Sequence, residues 1–276
     1  VIVDRENEIK DFVSQEYWSI DASLTAPSSR KMFPAKFVGI NGKKTELPNK
    51  EKTDEILKKL ENAEYAVTGI KKSIHKKSPA APFTTSTMQQ EASRKLGFQA
   101  RRTMKAAQEL YEGIDVKNLG AVGLITYMRT DSLRISNEAR VVAYGFIEKK
   151  YGKDYVPDSP RLFKSKSNAQ DAHEAIRPTM PELTPDEIKA SLSSDQYKLY
   201  KLVWERFIAS QMANALMNTV SVDILANECN FKASGYSVKF DGYTALYEES
   251  KDEQSEENSV LPEILNGDIL KMKKLD

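Results

Sequence analysis

The chain of 276 residues is 40% hydrophobic and 29% charged, with a net charge of +1 and a single cysteine, Cys229. That length supports one large or two smaller folded domains, and no apolar run is long enough to span a membrane. The lone cysteine excludes an internal disulfide and a cysteine-based zinc cluster; with no signal peptide in evidence, it fits a reducing, cytoplasmic setting.

Residues 1–15 read as the tail of a helix, with Ile9, Phe12 and Val13 on one stripe. The abrupt start, without a cap or an initiating methionine, suggests an excised fragment. "EYWSIDASL" then alternates, placing Trp18, Ile20, Ala22 and Leu24 on one face of a half-buried strand. Asn41-Gly42 within "KFVGINGKK" is a hairpin-turn signal. A short helix is expected over 53–62 with Thr53 as its N-cap, followed by a strand in "EYAVTGIKKS". The prolines of "SPAAPF" mark a linker.

Helical texture begins after it. Ser86 with Gln89 predicts a capping box opening a helix that runs to about Leu96. Gly97 breaks that helix, and a second carries Met104, Ala107, Leu110 and Tyr111 until Gly113. This glycine-jointed pair resembles a helix-turn-helix, with Arg101, Arg102 and Lys105 near the start of its second helix, where phosphate is favoured. A strand leads into "GLITYMRTDS", and a helix is expected from about Ser136 to Tyr151 with Ala139, Val142, Phe146 and Ile147 inside. A long loop spans 152–181. Thr184-Pro185-Asp186-Glu187 predicts a capped helix start, and Tyr197, Tyr200, Val203, Trp204, Phe207, Ile208 and Gln211 form an amphipathic stripe read as core packing. Alternation returns in Val220, Val222 and Ile224, then in Tyr236, Val238 and Phe240. The acidic stretch 248–259 reads as a flexible linker, and residues 261–275 as a last turn and strand.

The resulting expectation is an α+β fold. An antiparallel β-rich domain formed by 1–80 and 214–276 receives an inserted, mainly helical domain, 81–213. Charge is uneven along it. Between Lys71 and Lys105 stand nine Lys/Arg and one acid, Glu91, a local excess of +8. Such a block fits a nucleic-acid face and a solvated lysine-rich surface equally well.

In a strand, Tyr127, Arg129 and Asp131 would share a face while Met128 and Thr130 point away. A phenol, a guanidinium and a carboxylate suit phosphoryl transfer. A nearby cation favours the phenolate, a guanidinium clamps a phosphodiester through paired hydrogen bonds, and Asp131 could orient the arginine. The alternative is a structural tyrosine with an arginine neighbour.

The motif "GLITYMRTDS" resembles the active-site tyrosine motif of type IA DNA topoisomerases. "PFTTSTMQQEASRKLGF" with "TMKAAQELYEG" is similar to the family's segment before that tyrosine, and "DAHEAIRPT" to its histidine-bearing motif. "YKLYKLVWERFIASQM" and "FDGYTALY" resemble later stretches in the same order. Met128 between the tyrosine and the arginine resembles the bacterial topoisomerase I branch, since the topoisomerase III branch usually has proline there.

The resemblance implies that Tyr127 attacks a single-stranded phosphodiester to give a 5′-phosphotyrosine, that Arg129 holds the scissile phosphate, and that His173 contacts a phosphate or moves protons. Arg177 would add charge; with Arg129, Asp131, Arg101, Arg102 and Lys105 it completes the expected DNA-binding set. It also implies an arch (hinge and gate) for the β domain, and Mg²⁺ held by an N-terminal Toprim domain that this chain lacks, as it lacks the C-terminal DNA-binding modules. No metal ligands are assigned here, because "HEAIR" is not H-E-x-x-H. Partners would be single-stranded and negatively supercoiled DNA, and the protein a nucleoid-associated monomer that is inactive without its Toprim domain. Two other readings stand beside this one. One is a non-catalytic helix-turn-helix binding module; the other, short of ligands, is a metal hydrolase built on His173 and Glu174.

Overall fold

The computed structural model describes residues 2–163, 173–249 and 260–276. The predicted acidic linker therefore lies almost wholly outside the described residues. The chain forms two compact units. One comprises Val1–His75, Asn218–Ser237 and Glu256–Asp276; the other comprises Lys76–Met217 and Val238–Ser255.

The first unit contains α1 (Ile2–Asp11), β1 (Asp21–Thr25), β2 (Met32–Ile40), β3 (Lys43–Lys44), α2 (Lys50–Leu60) and most of β4 (Tyr65–Lys77). Strand order β1-β9-β4-β7-β8-β2, with β1 also paired to β2, closes the sheet on itself, where β7 is Ala215–Ala226, β8 Cys229–Phe240 and β9 Ile269–Leu275. Closure leaves β3 as the free edge, a two-residue strand too short to recruit another chain. The hairpin joining β2 to β3 turns at Asn41 (φ 50°) and Gly42 (φ 75°), the double positive φ of a type I′ turn. Ile20, Ala22 and Leu24 fill the interior with Phe33, Tyr65 and Phe231.

Several sequence expectations shift here. α1 buries nothing, and Ile9, Phe12 and Val13 are all exposed, so the stripe covers no surface among the described residues. α2 starts earlier than expected. Its cap is Asn49, whose side chain accepts from the Lys52 amide, while Thr53 turns inward and donates to the Asn49 carbonyl. In β8 the inward residues are Phe231 and Ala233, while Val238 is half exposed.

The second unit is built on α3 (Thr85–Leu96), α4 (Ala100–Glu112), a small β5–β6 hairpin (Ile114–Val116 and Gly120–Val122), α5 (Asn137–Tyr151) and α6 (Ser194–Gln211). α6 is the hub. Tyr200, Val203, Trp204, Phe207, Ile208 and Gln211 are buried, as a packing stripe should be. Trp204 meets Phe146 of α5 edge to face at 5.4 Å. α3 and α4 are joined at Gly97, whose φ of 65° closes α3 in the left-handed region. α3 is capped by Thr84 with Thr87, two residues earlier than the expected Ser86–Gln89 pair. Half of the Thr184–Glu187 box forms, the Glu187 carboxylate accepting from the Thr184 amide and hydroxyl, and it closes only a turn; α6 begins at its own box, Ser193 with Gln196. In α5 the inward residues are Ala139, Ala143 and Ile147, while Val142 faces out.

Candidate active site

The segment 123–136 is not a strand. Only Ile125 makes a bridge, to Pro178, and the rest is irregular. The expected alternation survives for a different reason. Hydrogen bonds from two flanking pieces of chain hold the segment, and Met128 (1% exposed), Thr130 (6%) and Ser132 (2%) face inward. Tyr127 is 38% exposed, and Arg129 and Asp131 face solvent with it.

On one side stands the first residue of α3. The Thr85 hydroxyl donates to the Met128 carbonyl (2.7 Å) and accepts from the Thr130 amide (2.9 Å). The Thr85 amide in turn donates to the Thr130 carbonyl (2.9 Å). On the other side runs 173–179. The Thr126 amide donates to the Arg177 carbonyl (2.9 Å), and its hydroxyl donates to the Ala175 carbonyl (2.7 Å) and accepts from the Arg177 amide (3.0 Å). The Ala175 amide reaches the Arg134 carbonyl, and the Ile176 amide the Phe83 carbonyl. Hydroxyls on Thr130 and Ser132 close local turns by accepting from the Ser132 and Arg134 amides. The density of Thr and Ser in "TTST" and "TYMRTDS" is the sequence signal for this lattice.

The Tyr127 ring lies between two others: Tyr111 at the end of α4, edge-on at 5.4 Å, and His173 at 5.7 Å. Among the described residues its hydroxyl has no hydrogen-bond partner, and neither Arg129 nor Asp131 has an ion pair. Asp131 therefore does not orient Arg129. Two half-free groups of opposite charge and a free phenol stand on one surface, with His173 beside the phenol.

Arg177 does something other than expected. It makes two bonds to one Glu174 oxygen (3.1 and 2.6 Å) and one to the Pro178 carbonyl, while the other Glu174 oxygen accepts from the Ser136 amide (2.6 Å). Both side chains are largely buried. The pair is a brace tying the histidine-bearing segment to the start of α5, and Arg177 has little left for a ligand. The brace also removes Glu174 from any metal chemistry. Among the described residues, no group of three or more His, Cys, Asp or Glu side chains converges to hold a metal ion.

The three basic residues of α4 have separate settings. Arg101 is exposed, without a partner among the described residues. Arg102 forks onto Asp195 with two 2.7 Å bonds and lies over the Phe98 ring. Those bonds hold the Asp195 carboxyl below its ordinary range and raise the guanidinium. Lys105 stands 4.0 Å from Glu109. They lie six to ten residues from Tyr111, roughly 9 to 15 Å along the helix, so they are not packed around Tyr127 as Tyr111 and His173 are.

A family model described as DNA topoisomerase matches residues 1–276. The structure is similar to full-length topoisomerase I from Thermotoga maritima, with a TM-score of 0.71 and 33% identity over 99% of this chain. The chain spans 43% of that protein's length. A family match over every residue and a solved relative of the same fold agree: the chain belongs to the DNA topoisomerase family, in its bacterial type IA group.

Proposed function

We propose that this chain carries the nucleophile of a type IA DNA topoisomerase of the topoisomerase I branch, which cuts one DNA strand, passes another through the gap and reseals it. The observation that carries the reading is Tyr127, an exposed phenol whose hydroxyl has no partner among the described residues, on a segment clamped from both sides. Its oxygen attacks a backbone phosphorus. The new P–O bond to tyrosine forms as the bond to the 3′-oxygen breaks, the phenol's proton departs, and the released 3′-oxygen takes up a proton. One phosphodiester replaces another, so resealing is the reverse step and needs no nucleotide. Arg129 meets the charge that builds on the phosphate. His173 is near enough to the phenol to contact the phosphate or carry a proton. Asp131 and Arg101 contribute to DNA contact at the exposed surface; Arg102 and Lys105 do so less, given their carboxylate neighbours.

In this reading Mg²⁺ belongs to a Toprim domain outside the chain. The enzyme works as a cytoplasmic monomer on single-stranded regions of negatively supercoiled DNA, and the β unit acts as the hinged arch.

The test is covalent capture. The chain is combined with a Toprim domain, Mg²⁺ and a single-stranded oligonucleotide labelled at its 3′ end, then run on a denaturing gel. Label should travel with this chain and vanish in Tyr127→Phe. Label that persists in Tyr127→Phe would place the covalent link elsewhere and overturn the reading. An assembled pair that captures nothing would favour a non-catalytic binding module.

A further inference from the structure

Arg206, near the end of α6, is 4% exposed, one of the few charged side chains buried in the helical unit. A guanidinium is not buried without strong compensation, because its desolvation must be met by hydrogen bonds and charge. Here the compensation comes from two separate pieces of chain. The Arg206 Nε–H donates to the Ala81 carbonyl (2.5 Å), and a terminal nitrogen pairs with Glu249 (2.6 Å). The plane of the group covers the Phe83 ring at 4.8 Å and approaches Tyr247 at 5.5 Å.

The segment that Arg206 grips leads into the site. Phe83 forms an antiparallel bridge with Ile176, in the segment after His173. Thr84 caps α3, and Thr85 fixes both Met128 and Thr130, the residues on either side of Arg129. A second anchor joins the Glu249 stretch to the same helix. The Tyr247 hydroxyl donates to Glu91 (2.9 Å), itself 3% exposed, and Lys95 lies over the Tyr247 ring at 3.7 Å. Lys95 also bonds the Glu248 carbonyl. Residues 247–249 thus hold α3 from its middle, while Arg206 holds the chain just before α3.

We propose that Arg206 is a positioning residue for the DNA-cleaving reaction: through Ala81 and Phe83 it fixes Thr85, and through Thr85 it sets the placement of Tyr127 and Arg129. This rests on the functional reading above. Arg206 touches neither the phenol nor DNA. Its contribution is to keep residues 81–85 in the one conformation that presents the Thr85 hydroxyl to the tyrosine segment.

The test uses the full-length enzyme containing this chain, with Arg206→Met, Arg206→Lys and, as a control, Phe207→Leu, which loosens the same helix at a buried residue whose side chain makes no hydrogen bond. Single-turnover adduct formation on saturating oligonucleotide should fall about tenfold or more in Arg206→Met. Affinity for the same oligonucleotide, measured in a Tyr127→Phe background, should stay within about twofold. Arg206→Lys should recover part of the rate. At matched loss of Tm, Phe207→Leu should keep near wild-type cleavage. Amide exchange at Thr130 and Ile176 should quicken in Arg206→Met and not in the control. A wild-type rate in Arg206→Met, a rate loss equalled by the control, or unchanged exchange at both amides would each overturn the role. Wild-type enzyme that forms no adduct would overturn the functional reading itself, and this role with it.

Discussion

Thr85 and Thr130 are bonded to each other in both directions: each amide donates to an oxygen of the other, at 2.9 Å in both cases. The Thr85 hydroxyl serves one of those bonds and the Met128 carbonyl as well. Thr85→Val should therefore leave a buried amide and a carbonyl unpaired, costing roughly 1–3 kcal/mol. Thr85→Ser, which keeps the oxygen, should cost much less. Urea denaturation gives the stabilities, and adduct formation should slow only in the valine variant.

Two tyrosines should respond oppositely to loss of the hydroxyl. Tyr127→Phe removes an oxygen with no partner among the described residues, so stability should change by less than about 0.5 kcal/mol. Tyr200→Phe removes a buried hydroxyl that donates to the Leu183 carbonyl at 2.7 Å, and should cost about 1 kcal/mol. Thermal melts of the two variants side by side check this. A large loss in Tyr127→Phe would mean that the phenol is part of the scaffold.

The Glu174–Arg177 brace predicts strong coupling. Glu174→Ala and Arg177→Ala should each cost roughly 1.5–3 kcal/mol, since each leaves a largely buried charge alone. The double variant should lose clearly less than the sum. Additive losses would show that the two side chains act independently.

Glu205 on α6 supplies a pH signature. Burial raises its carboxyl above the ordinary range, and Lys201 only partly offsets this. An acid that holds its proton more tightly when folded weakens the fold once the pH passes its unfolded value of about 4.3. The penalty is complete above the folded value and absent at low pH. Glu205→Gln should accordingly raise Tm at pH 7 and change it little at pH 3. A gain confined to low pH would reverse the assignment.

Local chemistry was readable where a short run of residues decides the outcome. Asn41-Gly42 determines its turn because few other pairs adopt positive φ twice in succession, and Gly97 ends α3 for a related reason. Caps were legible to within a few residues. Asn49 displaced Thr53 because a cap is chosen by where the helix docks, and the side chains alone do not reveal that. The tyrosine segment is legible by its residues, and its irregular backbone is not. Alternating burial is the mark of a strand, yet the same pattern arises here from the hydroxyl of the sequence-distant Thr85 and from the segment's own Thr126 hydroxyl, bonded to the distant residues 175 and 177. Arg102 and Arg177 illustrate the limit. Each looked available for phosphate until folding supplied a carboxylate, Asp195 far along the chain for one and Glu174 three residues back for the other.

The tyrosine segment divides labour by residue number. Thr126, Met128 and Thr130 give up their backbone or hydroxyl groups to the scaffold, whereas, among the described residues, the Tyr127 hydroxyl and the Arg129 and Asp131 side chains have no hydrogen-bond or ion-pair partner in it, and Tyr127 meets it only through its ring, against Tyr111 and His173. That makes the outward positions addressable. A photocaged tyrosine at 127 or a citrulline at 129 would project into solvent without displacing a packed neighbour below, so this surface can be rewritten chemically, one residue at a time, on an unaltered frame.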